Sequence, residues 1–235
     1  MSECYHKYFV LNNKIKACGE FDKNYIQHGI SPYEVIKIIN GVPLFLEDHI
    51  ERFKNSIASK RLENCHNLDN IKSNIEFLVK SNNVKSGNVK LLFNYKYSQL
   101  NCLLYFIRHR YPTEKEYRDG VEIGIFHAMR ENPNAKFVNK DLKKATTLEK
   151  EEKGVYEVLL IDEKGNITEG SMSNIFFIRE DRVFTPPLAY VLPGVTRKHV
   201  FSICSQNGIH LSEKVINYDE IEKYDAVFIT GTSPN

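Results

Sequence analysis

Turn signals that break short β-rich runs are the feature that most constrains this chain. Tyr8 to Cys18 bends at Asn12-Asn13, and Tyr33 to Ile39 runs into Asn40-Gly41. Both dipeptides tolerate positive φ, so each predicts a tight hairpin. Val89 to Tyr95 and Asn101 to Arg108 form a further β-rich pair around the polar turn Lys96 to Leu100. Between the pairs the apolar period changes from that of a strand to that of a helix. Ile50, Phe53 and Ile57 recur at helical spacing within Glu47 to Lys60, and Leu68, Ile71, Ile75 and Leu78 repeat it. Two amphipathic helices among hairpins predict a small α/β domain over residues 1–108.

Residues 109–120, HRYPTEKEYRDG, are polar, carry Pro112 and Gly120, and read as a linker. A second domain over residues 121–235 opens with a strand at Glu122 to His127. It continues with a helix over Lys140 to Lys153 and an apolar strand from Tyr156 to Asp162 that turns at Glu163 to Asn166. Strands at Asn174 to Arg179 and Asp225 to Thr230 flank a helix that starts at Val195 after Pro193-Gly194 and buries Val200, Phe201 and Cys204. Of the 235 residues 42% are hydrophobic, enough for one large or two modest domains.

The charge excludes some partners. Thirty-two basic against 30 acidic residues leave +2, spread along the chain, so no field favours nucleic acid or a membrane surface. No apolar run approaches the roughly 20 residues of a membrane span, and MSECYHKYFV has no secretory pattern. Cys4, Cys18, Cys65, Cys102 and Cys204 show no metal-ligand spacing. They read as free thiols in a soluble, cytoplasmic protein without a metal.

Four local features carry chemistry: Lys136 after Pro133-Asn134-Ala135, T-E-G-S at Thr168 to Ser171, L-P-G-V-T-R at Leu192 to Arg197, and T-G-T at Thr230 to Thr232. A helix that starts at Gly194-Val195-Thr196 presents unpaired N–H groups, a hydroxyl and a positive dipole end, all of which favour a phosphate. Taken alone, the same feature is also an ordinary capped turn. Set in order with Y-E-V-I-K-I (Tyr33 to Ile38), L-E-D-H-I-E-R (Leu46 to Arg52), K-F-V-N (Lys136 to Asn139), G-V-Y-E-V-L-L-I-D (Gly154 to Asp162), E-G-S-M-S-N (Glu169 to Asn174), T-P-P (Thr185 to Pro187) and F-I-T-G-T-S-P (Phe228 to Pro234), these motifs resemble the class IV aminotransferases over nearly the whole chain.

The resemblance implies a two-domain α/β (α+β) enzyme of fold type IV. Its small N-terminal α/β domain would be followed by a larger, mixed, β-barrel-like domain with helices, and pyridoxal 5'-phosphate would lie in the interdomain cleft. Lys136 matches the lysine that forms the Schiff base. Lys140, Lys143 and Lys144 lie close by, and what selects Lys136 is that it precedes Gly154 by 18 residues (154 minus 136), the family's spacing for K-x-x-N. Lys140 is the reserve. Glu169 matches the acid that contacts the pyridine nitrogen, and Arg52 the arginine that grips the phosphate, a role suited to a bidentate guanidinium. Val195, Thr196, Gly231 and Thr232 would complete the phosphate contacts. Leu192 would pack on the ring, and Ser171 to Asn174 would support Glu169.

Tyr33 aligns with a tyrosine that binds substrate carboxylate, and Thr232 and Ser233 join it as substrate-binding candidates. His49 reads as a structural hydrogen-bonding group. The implied partners are an amino acid, a 2-oxo acid and a second copy of the chain as a homodimer. No R-x-H pair appears near Asn94 to Leu100, and F-V-N-K-D follows Lys136 in place of the G-G-N-Y that follows the lysine in branched-chain enzymes. Transamination is the leading expectation. The alternatives are an aminodeoxychorismate lyase and a non-catalytic relative of the same fold. Family members continue beyond T-G-T-S-P, so the second domain reads as truncated at its C-terminus.

Overall fold

The computed structural model describes residues 3–62, 68, 70–96 and 99–232. The chain divides into two compact units among the described residues: Glu3–Arg110 together with Ala135–Val138, and Tyr111–Asn134 together with Asn139–Thr232.

The first unit follows the turn signals closely. Its elements are β1 (Tyr5–Leu11), β2 (Lys14–Ala17), a single turn α1 (Asn24–Gln27), β3 (Tyr33–Ile39), β4 (Val42–Pro43), α2 (Leu46–Ser59), α3 (Asn70–Asn82), β5 (Ser86–Lys96) and β6 (Gln99–Ile107). The strands form one antiparallel sheet in the order β2-β1-β6-β5-β3-β4. Side chains alternate across a strand, and β5 uses both faces. Leu91 and Phe93 join Phe53 and Ile57 of α2 and Ile71, Ile75 and Leu78 of α3 in one core, whereas Leu92 packs with Phe9, Leu103, Tyr105 and Tyr33 in another. The two long helices α2 and α3 therefore cover one face, while Tyr25 and Ile26 of α1 pack on the other. On the other side Cys4 and Cys18 are joined by a disulfide. The expectation of free thiols is thus corrected for this pair, which the β1–β2 hairpin draws together. Cys102 and Cys204 are buried free thiols, and burial pushes the Cys102 thiol up to about 12. Cys65 lies outside the described residues.

The second unit begins with α4 (Glu114–Asp119) inside the expected linker, where a Thr113–Glu116 capping box supplies the helix start. Then come β7 (Ile123–His127), α5 (Lys140–Lys153), β8 (Glu157–Ile161), β9 (Asn166–Gly170), β10 (Asn174–Arg179), β11 (Arg182–Thr185), α6 (Val195–Gln206), β12 (His210–Glu213), β13 (Ile216–Asn217) and β14 (Ala226–Thr230). Two four-stranded sheets result, β12-β11-β10-β14 and β13-β9-β8-β7. Neither closes on itself among the described residues, and the expected mixed α/β domain with helices is what forms. β7 and β8 are parallel across α5, and β11 and β12 are parallel across α6. Parallel pairs need such crossovers, and each one lays a helix on its sheet. In α6 the deeply buried residues are Val195, Arg197 and Cys204, while Val200 and Phe201 are only partly covered. No described helix is long and apolar enough to cross a membrane.

Candidate active site

In the first unit the site grows from the spacing of α2. His49, Arg52, Phe53 and Ser56 fall at i, i+3, i+4 and i+7, so one helix face carries two ionisable groups and a hydroxyl along with its apolar residues. All four are buried. His49 and Arg52 meet Glu34, which β3 directs to the same side as Ile36 and Ile38. Arg52 donates from Nε to Glu34 Oε1 at 2.8 Å and from a terminal nitrogen to Oε2 at 2.6 Å, and His49 Nδ1 lies 2.8 Å from Oε2. Burial alone would raise the Glu34 carboxyl, but the charge and hydrogen bonds of Arg52, aided by His49, hold it down at about 2. A carboxylate has no proton to give, so His49 Nδ1 donates to it. Burial lowers the His49 pKa, as do the nearby charges of Arg52 and Lys136, against the opposing pull of Glu34. His49 Nε2 is buried and has no hydrogen-bond partner among the described residues.

Lys136 sits on this network through its main chain. Its N–H donates to Ser56 Oγ at 3.0 Å, and that hydroxyl in turn donates to the Arg52 carbonyl at 3.0 Å. Its carbonyl accepts from Tyr33 N–H at 3.0 Å, and Val138 N–H donates to the Ser31 carbonyl at 2.9 Å. The segment is thereby stitched to the start of β3. The Lys136 ammonium lies 4.9 Å from the centroid of the Tyr33 ring. Lys140, by contrast, is exposed at the first position of α5, whose cap is Asn139.

In the second unit Glu169 is 3% exposed at the end of β9. Arg130 Nε lies 2.7 Å from its Oε1, and Leu192 N–H donates to its Oε2 at 3.1 Å. Asn174 donates to the Leu192 carbonyl at 3.0 Å. Asn174 also lies so close to Gly194 that a Cβ there would overlap its Oδ1. The glycine is thus required by contact at the N-cap of α6, directly before Val195 and Thr196. In the sheet Asn174 faces Thr230, whose hydroxyl is buried without a hydrogen-bond partner among the described residues. Gly231 is exposed and Thr232 half-buried just beyond β14, and Ser233 lies outside the described residues.

The expected support of Glu169 by Ser171 and Ser173 is corrected. Both hydroxyls donate to Glu157, at 2.6 and 3.0 Å, because that buried carboxylate lies nearer to them in β8. Glu169 is supported instead by Arg130, which also donates to the Ser171 carbonyl at 2.7 Å, and by the Asn174–Leu192 pair. Sequence reasoning missed Glu34, Ser56, Arg130 and Glu157. The legible signal for Glu34 was a carboxylate at a core-facing position of an apolar strand. Arg130, within a loop, gave no comparable sign.

The sequence pattern of the family described as amino-transferase class IV matches residues 31–235. The chain belongs to that family. Among its relatives, the D-alanine aminotransferase of Bacillus licheniformis is 29% identical over 232 residues, which cover 90% of this chain and 78% of the relative. The branched-chain amino acid aminotransferase of Escherichia coli superposes with a TM-score of 0.86 at 19% identity, covering 98% of this class IV aminotransferase and 84% of the other chain. A second branched-chain amino acid aminotransferase, that of T.th., was solved with pyridoxamine 5'-phosphate; it gives 0.84 at 23% identity and covers 97% and 83%. The fold is therefore that of fold-type IV enzymes, and the protein is an aminotransferase.

Proposed function

We propose that this enzyme uses pyridoxal 5'-phosphate to move an amino group between an amino acid and a 2-oxo acid, with Lys136 as the residue that carries the cofactor. The observation that carries this reading is the fixed Lys136 main chain, held between Ser56 and Tyr33, on the network of the buried His49, Arg52 and Glu34. The residues of the second unit fit the cofactor's chemistry. A 12-residue helix begins at Val195 beside a glycine packed tightly against the Asn174 side chain, and a buried hydroxyl at Thr230 lacks a partner among the described residues. Such a helix end favours a phosphate. When bound, the cofactor supplies an aldehyde that reacts with amines and a ring that accepts electrons from the substrate.

In this reading the Lys136 amine is first nucleophile and then proton carrier, taking the proton from the substrate α-carbon. Its main chain, held by Ser56 and Tyr33, fixes the point from which the side chain reaches. Glu169 faces the pyridine nitrogen. Both its oxygens already accept hydrogen bonds or charge, but each carboxylate oxygen has a second lone pair for one more N–H. Arg52, Val195, Thr196, Gly231 and Thr232 hold the phosphate, and Leu192 packs on the ring. Tyr33, Thr232 and Ser233 receive the substrate carboxylate. Family membership supports a homodimer, which sedimentation equilibrium would measure, and a cytoplasmic enzyme.

The test is a coupled assay with cofactor added. The enzyme should convert an amino acid and a 2-oxo acid into the exchanged pair, and Lys136→Ala should not. Release of 4-aminobenzoate from aminodeoxychorismate, without amino transfer, would make the protein a lyase instead.

A further inference from the structure

Three acidic side chains are buried among the described residues: Glu34, Glu157 and Glu169. Arg52 meets the first and Arg130 the third. Glu157, 3% exposed at the start of β8, meets neutral donors instead. Its Oε1 accepts from the Ser171 hydroxyl at 2.6 Å and the Val158 N–H at 3.0 Å, and its Oε2 from the Ser173 hydroxyl at 3.0 Å and the Met172 N–H at 3.2 Å. A buried carboxylate is costly unless hydrogen bonds to its oxygens replace those of water. Four donors do so here.

Three of the four belong to Ser171, Met172 and Ser173, which are the whole connection between β9 and β10. The main chain closes the same turn. Gly170 N–H donates to the Ser173 carbonyl at 2.8 Å, and Ser171 N–H donates to the Val158 carbonyl at 2.9 Å. Gly170 itself is packed against the Ser173 hydroxyl and the Glu157 carboxylate. One charge in β8 thereby gathers a three-residue turn around itself.

The residues at the two ends of this turn converge on Leu192. Glu169, just before Gly170, accepts from the Leu192 N–H at 3.1 Å, and Asn174, just after Ser173, donates to the Leu192 carbonyl at 3.0 Å. Arg130 ties the turn to Glu169 a second time: it donates to the Ser171 carbonyl at 2.7 Å, and its Nε lies 2.7 Å from Glu169 Oε1. A turn of another shape would move the Ser171 carbonyl, and with it the guanidinium on Glu169.

We propose that Glu157 is a positioning residue for Glu169. By fixing the turn from Ser171 to Ser173 it holds the Glu169 carboxylate between Arg130 and Leu192. This role rests on Glu169 facing the pyridine nitrogen of the cofactor. The alternative is that Glu157 only stabilises the interior beside β8.

Glu157→Gln keeps the size of the side chain and sets an NH2 group among donors that need an acceptor. In the cofactor-free protein, amide exchange at Leu192 should quicken by at least about tenfold relative to the strand amides of β8 and β9, which report overall stability. Equilibrium dialysis with pyridoxal 5'-phosphate gives the second readout. Glu157→Gln should raise the dissociation constant by about tenfold, the scale of one charge-assisted hydrogen bond. In a Glu169→Gln background the same substitution should add less than about twofold, because two residues that act through one group are not additive. Ser173→Ala removes a single donor and should show the same pattern at smaller size, which covers a Glu157→Gln protein that does not fold. Equal fold-losses in both backgrounds, or Leu192 exchange that changes no more than the strand amides, would overturn the role and leave Glu157 as a stabilising group. If Glu169→Gln alone leaves the affinity unmoved, the assignment of Glu169 is what fails, and the Leu192 exchange rate still decides whether Glu157 sets the turn.

Discussion

Around Lys136 the first unit fixes its polar groups by charge: Glu34 joins His49 and Arg52 in a buried cluster, and Ser56 relays that network to the lysine main chain. Around Glu169 the second unit relies more on the main chain, through the Leu192 N–H, the Asn174 side chain that fixes the Leu192 carbonyl, and a glycine tight against Asn174. Arg130 brings charge to Glu169 from a partly exposed position. The difference sets how each region should fail. A buried ion pair is costly to break because the surviving charge is stranded. A main-chain cradle is spoiled by added bulk and is largely indifferent to pH.

The largest effect should come from removing the Lys136 amine. Lys136→Ala is expected to lower amino transfer by on the order of a thousandfold or more, measured as the steady-state rate with saturating cofactor. In the same unit Glu34→Gln should leave the Arg52 guanidinium without its buried counter-charge. A loss of about 3–5 kcal/mol in urea unfolding is expected. An effect below about 1 kcal/mol would mean that water reaches the pair. In the second unit Gly194→Ala forces Asn174 aside, and overpacking of this kind costs about 1–3 kcal/mol. It should weaken cofactor binding in a fluorescence titration, with little change in acid stability.

Acid stability sharpens the contrast. His49 is held below its ordinary value of 6.5, so the unfolded chain binds its proton more readily, and stability should begin to fall below about that pH. Glu34 is held at about 2 against 4.5, so its contribution is complete above 4.5 and is lost as the pH drops toward 2. Both signs agree, and urea midpoints measured across this range should fall in two stages. Glu34→Gln should remove the lower stage, and Gly194→Ala neither. The smallest effect is reserved for Thr196→Val, which removes one hydroxyl from the α6 start and should weaken cofactor affinity by up to about tenfold, equivalent to about 0.5–1.5 kcal/mol.

Much of the framework was legible because local chemistry fixed it. Asn139 caps α5 through a bond to Leu142 N–H, and Gly154 ends it with a φ of 66°, so both bounds were written in the residues. The α2 periodicity likewise placed Phe53 and Ile57 in the core, and the hairpin at Asn12-Asn13 set β1 against β2. What stayed hidden depended on pairing between distant segments. The Cys4–Cys18 bond spans 14 residues and forms because β2 folds back on β1, which cysteine counting does not reveal. Glu157 and Glu169 are both carboxylates near one serine-rich turn, and only the register of β8 against β9 gives the serines to Glu157.

The central claim is that Lys136, and not the nearby Lys140, carries the cofactor. Borohydride reduction of the cofactor-loaded enzyme, followed by proteolysis and tandem mass spectrometry, tests it directly. The expected result is a phosphopyridoxyl group on Lys136 alone, and its loss in Lys136→Ala. The same group found on Lys140, or a reduced protein with no lysine modified, would contradict it.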